Sequence, residues 1–140
     1  MVEIKCSDNV GCTVFRPYFI GFDLVSGLGA GFAPTSLQKH GISTTIVEID
    51  PAVYSAARTY FGLPDPGKGN VFLEDARGWI TNRRKAIQGP QAELFDIVIH
   101  DCFSGGGVPS HVFTVEFWQE LKDVVKPDGV VAIVSFTYVL

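Results

Sequence analysis

Four apolar runs constrain this chain more than anything else in it: YFIGFDLVSG (18–27), TTIVEID (44–50), LFDIVIHD (94–101) and VVAIVSF (130–136). Each is long enough for a strand, and none shows the strict alternation of a sheet with one wet face. Between them lie segments with helical spacing. APTSLQKHG (33–41) ends on a glycine terminator, Gly41. DPAVYSAARTYFG (50–62) has Asp50 as a cap, Pro51 in the first turn and Gly62 past the end, with Val53, Ala56, Ala57, Tyr60 and Phe61 on one face. ARGWITNRRKAI (76–87) follows the short strand signal VFLED (71–75). TVEFWQELKDVV (114–125) carries Phe117, Leu121, Val124 and Val125 on one side, and KPDG (126–129) then turns the chain into its last buried strand. Apolar strands alternating with helices predict a parallel sheet covered on both faces, doubly wound through right-handed crossovers. The composition agrees: 140 residues make one domain, with 46% apolar and 19% charged residues. Residues 1–17 are weakly patterned and read as a hairpin or arm, which leaves 18–140 as the α/β domain.

Doubly wound sheets bind ligands beyond the carboxyl ends of their strands, at the switch point. Three distinctive segments sit at such ends: VSGLGAGFAP (25–34), VEID (47–50) and HDCFS (100–104). A glycine loop between strand and helix lets backbone approach a ligand closely. The spacing here is Gly27, Gly29, Gly31, with Phe32 where the GxGxxG pattern of dinucleotide sites has its third small residue. That departure argues against a pyrophosphate-bearing cofactor and for a nucleoside with one ribose and no phosphate. An acid-bearing strand end follows about 20 residues on, as ribose recognition requires.

The acids divide by position. Glu48 stands where a carboxylate can accept both ribose hydroxyls, or be a solvated rim acid. Asp50 is better explained as a helix cap. Asp75 can accept from an exocyclic base amine, cap the helix starting at Ala76, or do both. Asp101 ends the fourth strand facing the glycine loop, where an acid can touch a cationic or amine group. His100 and His111 lack partners at metal-ligand spacing, and Trp79 and Trp118 read as packing.

Charge and cysteine content exclude other classes. The net charge of -4 and the absence of a basic stripe argue against nucleic acid, and Arg83-Arg84-Lys85 reads as a solvated helix face. Cys6, Cys12 and Cys102 form no CxxC pair, so neither a disulfide framework nor a metal site is expected. No apolar run approaches the ~20 residues of a membrane span, and the N-terminus lacks a signal layout. A cytoplasmic protein is the expectation.

GLGAG, VEIDPAVYSAARTYFG, EDAR and the stretch from FDIVIHDCFSGGG to KPDGVVAIVS resemble the spermidine synthase (polyamine aminopropyltransferase) family. That family lies within the Rossmann-like fold of class I S-adenosylmethionine-dependent methyltransferases. The resemblance runs from about Leu24 to Phe136. It implies a cofactor set of Gly27, Gly29, Gly31, Glu48, Ile49, Asp75 and Ala76, with Glu48 on ribose and Asp75 on adenine. It implies Asp101 as the catalytic acid that holds and helps deprotonate putrescine, or a similar amine, as it displaces the aminopropyl group of decarboxylated S-adenosylmethionine. The family's D-S-S-D-P loop reads Asp101-Cys102-Phe103-Ser104-Gly105 here, so the second diamine-holding acid is replaced by Ser104. The family's Tyr-Gln pair and N-terminal β-domain have no counterpart in the opening residues, and its C-terminal sheet hairpin has none after VVAIVSF. Three readings therefore stand: an aminopropyltransferase, a methyltransferase using S-adenosylmethionine on the same fold, or a non-catalytic nucleoside-binding module. An apolar strand edge without that hairpin implies a homo-oligomer.

Overall fold

The computed structural model describes residues 3–6, 12–15, 21–87, 89, 93–104 and 107–134. A small antiparallel hairpin comes first, β1 (Glu3–Cys6) with β2 (Cys12–Phe15). The rest alternates as expected: β3 (Phe22–Ser26), α1 (Phe32–Lys39), β4 (Ser43–Val47), α2 (Pro51–Tyr60), β5 (Val71–Phe72), α3 (Ala76–Ala86), β6 (Phe95–His100), α4 (Val115–Lys122) and β7 (Val125–Ile133). A single 3-10 turn, Ser110–Val112, interrupts the path from β6 to α4.

Among the described residues the sheet has five strands in the order β5-β4-β3-β6-β7, all parallel. The chain winds outward from β3 to β5, crosses back through α3 to β6, and continues to β7. The switch point therefore falls between β3 and β6, as a doubly wound fold requires. Two apolar layers cover the sheet. Leu24, Val47 and Val98 face Trp79 and Ile80 of α3 and Phe117 and Leu121 of α4. Ile46 lies in the opposite layer, with Ala57 of α2, Leu28 and Leu63. Neighbouring residues Ile46 and Val47 thus serve different layers, which is the period of two expressed in a strand buried on both faces.

The helix signals hold locally. Asp50 caps α2 by accepting from the Ala52 amide at 2.8 Å, and Asp75 caps α3 by accepting from Arg77 and Gly78. The face expected for α2 is only half right. Ala57 is buried and Val53 packs beside it, but Tyr60 and Phe61 turn outward, and Leu63 after the helix enters the core instead. α4 stops at Lys122, and Val125 begins the next strand.

The last strand corrects the sequence reading most. KPDG makes no separate turn; it is a bulge inside β7. Phe95 pairs with Val125, and Ile97 with Val130, so three residues more are spent on β7 than on β6. Gly129 allows it, because a Cβ there would lie 3.0 Å from the Asp96 and Lys126 carbonyl oxygens. Lys126 folds back from the bulge onto Asp96 at 2.8 Å. β7 was expected to be buried, yet Val130, Val131 and Ile133 are exposed, because no element among the described residues packs over them. The expectation about strands beyond β7, like the apolar residues 18–20, lies outside the described residues.

Candidate active site

β3 and β6 end side by side, and their carboxyl ends nearly touch. The Asp101 amide donates to the Ser26 carbonyl at 2.8 Å. A Cβ on Gly27 would collide with the Asp101 carbonyl, so only glycine fits there, at a φ of 84°. The next residues rise into the glycine loop. Gly31, at a φ of 79°, leads into α1 and is buried against Leu63 and Ala57.

Glu48 holds this loop. Its carboxylate is nearly buried; Oε2 accepts from the Leu28 amide and Oε1 from the Asp50 amide, each at 2.8 Å. The acid at the end of β4 therefore fixes both the loop after β3 and the start of α2. One lone pair on each oxygen remains for a ligand.

Asp75 uses its oxygens differently. Oδ1 takes the two α3 amides, while Oδ2 lies 2.7 Å from His111 Nε2. Burial pushes the Asp75 carboxyl up, but hydrogen bonds from His111, Gly78 and Arg77, together with the His111 charge, outweigh it and hold the pKa below the ordinary carboxylate value. Both sequence roles thus concern the same side chain, the cap being visible directly.

Below Asp101, Cys102 Sγ meets Ser26 Oγ at 3.2 Å, and burial pushes its thiol pKa up. Cys102 is a neutral thiol at the cavity wall, packed on Ser26. His100 is fully buried among Phe113, Phe117 and Trp118, and burial pulls its pKa down to about 4. It stays neutral at physiological pH and is a core residue, as are Trp79 and Trp118.

These ends enclose a cavity of about 510 Å³, within the range of small-molecule sites. Gly27, Gly29, Glu48, Ile49, Asp75, Ala76, Asp101 and Ser104 all line it. Gly31 is not among the lining residues; its contact is with the core. Among the lining residues that the sequence does not assign to the site are Glu74, Phe103 and His111. Glu74 adjoins an acid already singled out, so proximity was its signal. His111 was set aside for want of a metal-binding neighbour, and its partner Asp75 is distant in sequence. Among the described lining residues, the carboxylates of Glu48, Glu74, Asp75 and Asp101 face a single basic side chain, that of His111. No group of acids, histidines and cysteines among the described residues is arranged to hold a metal. No described helix is long and apolar enough to cross a membrane.

A doubly wound five-stranded sheet with an acid-lined cavity at its switch point places the molecule in the class of Rossmann-like methyltransferase folds. The spermine/spermidine synthase domain matches residues 21–139, and the chain belongs to that family. It is 46% identical over 110 residues to an N-terminal histidine N-methyltransferase of Emericella nidulans, covering 79% of this chain and 19% of that protein. It is 33% identical over 116 residues to a polyamine aminopropyltransferase of Vibrio vulnificus, covering 81% of this chain and 37% of the other. The chain therefore spans well under half the length of these relatives. Human methyltransferase-like protein 13, solved in complex with SAH, superposes with a TM-score of 0.69 at 25% identity, covering 79% of this chain and 52% of that one. Spermidine synthase from Thermotoga maritima gives 0.57 at 23% identity over 94% of this chain and 52% of its own, a likeness of fold.

Proposed function

We propose that this chain is the donor-binding domain of an S-adenosylmethionine-dependent N-methyltransferase. The observation that carries the reading is the convergence of Glu48, Asp75 and Asp101 on one cavity that Ser104, not an acid, also lines. The cavity fits the donor in size and charge, since carboxylates suit a sulfonium cation and an amine acceptor. Glu48, on its spare lone pairs, holds the ribose hydroxyls. Asp75 reads the base, with Ala76 and Ile49 against its faces. Gly27 and Gly29 keep the loop bare beside the sulfonium.

Asp101 sits where the acceptor nitrogen arrives. The donor is already activated, so the protein's task is alignment and proton removal. The nitrogen lone pair forms the new N–C bond as the C–S bond breaks, the sulfur keeps that electron pair, and the amine proton passes to the Asp101 carboxylate. The relative in Emericella nidulans and the eEF1A lysine and N-terminal methyltransferase of Bos taurus, 30% identical over 112 residues, support a protein amine as acceptor.

The second reading is aminopropyl transfer from decarboxylated S-adenosylmethionine to putrescine, supported by the Vibrio vulnificus relative. Ser104 weighs against it, because a diamine would be held by an acid at one end only. Incubation with each donor and an amine acceptor separates the readings by product. S-adenosylhomocysteine from S-adenosylmethionine is expected. Methylthioadenosine from the decarboxylated donor, with no methyl transfer, would replace this reading by the second. In that assay Ser104→Asp should raise any putrescine use. Binding of S-adenosylhomocysteine without turnover on any amine would favour a non-catalytic nucleoside module.

A further inference from the structure

Asp75 needs no help to hold its position. The Arg77 and Gly78 amides fix Oδ1 at 2.8 and 3.2 Å, which sets the plane of the carboxylate. Oδ2 is the oxygen left for a ligand, and His111 Nε2 already stands 2.7 Å from it. His111 reaches across from the turn after β6, whose neighbour Val112 is buried in the core and anchors it. Both side chains line the cavity, and both remain partly open to solvent, 53% for His111 and 37% for Asp75.

We propose that His111 is a specificity-setting residue: in the ligand-free protein it occupies the base-reading oxygen of Asp75, and a nucleoside must displace it. This rests on the cavity being the donor site proposed above. An adenine base donates its exocyclic amine to Oδ2 in place of the imidazole. A hypoxanthine base has a carbonyl at that position, which meets Oδ2 acceptor to acceptor; its one donor on that edge is the adjacent ring N–H, and His111 as the donor to both oxygens favours its binding. His111 thus weakens binding of adenine ligands and softens their discrimination from hypoxanthine ligands. Exposed ion pairs are weak, so the effect is modest, about two- to five-fold in affinity.

The test is calorimetric titration of S-adenosylhomocysteine and of its deaminated counterpart, S-inosylhomocysteine, into the parent, His111→Ala and His111→Leu. The leucine variant keeps bulk without a donor and covers the case of a poorly folded alanine variant. Both variants should bind the adenine ligand about two- to five-fold more tightly and the hypoxanthine ligand no more tightly. Equal or weaker binding of the adenine ligand by both variants would overturn the proposal, because His111 would then pack on the ligand or support Asp75. Failure of the parent to bind S-adenosylhomocysteine at all would overturn the proposed function, and this role of His111 with it. Normal binding by the parent with unchanged variants overturns the role of His111 alone.

Discussion

At the scale of residues, Glu48 and Asp101 make opposite predictions. Glu48 is structural and ligand-facing at once, since both its oxygens already hold backbone amides. Glu48→Ala should therefore lose roughly 1.5–3 kcal/mol of nucleoside affinity and also lower the melting temperature, because the Leu28 amide loses its buried acceptor. Calorimetry and thermal melting on one sample check both; unchanged affinity would refute the ribose role. The Asp101 side chain is exposed and makes no hydrogen bond among the described residues. Asp101→Asn should leave stability and nucleoside affinity nearly unchanged while cutting methyl transfer by about 10²–10⁴-fold, measured as product formed per enzyme per unit time. Of these roles, strand-end position made Glu48 and Asp101 legible in the sequence. The capping amides of Asp75 were legible too. Its bond to His111 was not, because it joins two loops that only the fold brings together.

At the scale of elements, β3 and β6 meet at their amino ends as well, where Asp23 and Asp96 are the second residues of the strands. Asp23 is fully buried with Oδ2 unpartnered, and burial pushes its pKa up to about 6, against the donation from Ile97 and with a smaller push from Asp96 that Lys126 partly offsets. The folded protein thus prefers the neutral acid. Its stability is greatest below the unfolded value near 3.8, falls as pH rises through about 6, and is lower by a constant amount above that. The loss is on the order of 3 kcal/mol. Asp23→Asn should gain stability over the parent as pH is raised from 4 to 7 in denaturant titrations. A gap that does not change with pH would contradict this. The same strands show where pattern reading stops. Apolar runs located β3, β4 and β6 because burial on both faces leaves few alternatives. Pro127-Asp128-Gly129 was read as a turn because the local chemistry is that of a turn; only pairing with β6 makes it a bulge. Tyr60 and Phe61 had helical spacing toward the core, but Leu63 takes the place they were expected to fill.

At the scale of the whole molecule, β7 presents Val130, Val131 and Ile133 to solvent at the margin of the described sheet. Such an edge invites pairing with another chain. We propose a second copy of this chain as that partner: sedimentation should show concentration-dependent association that Val131→Lys weakens, and a monomer at every concentration would count against it. Donor chemistry is decided in the cavity at the carboxyl ends of the strands. Glu48 and Asp75 can hold any adenosine thioether, so the rest of the ligand discriminates the two transfers. The most direct measurement is a calorimetric comparison of S-adenosylhomocysteine with methylthioadenosine on the same protein. A methyltransferase site should bind S-adenosylhomocysteine at least tenfold more tightly, about 1.4 kcal/mol. Tighter binding of methylthioadenosine would contradict the account and identify the cavity as an aminopropyl-donor site.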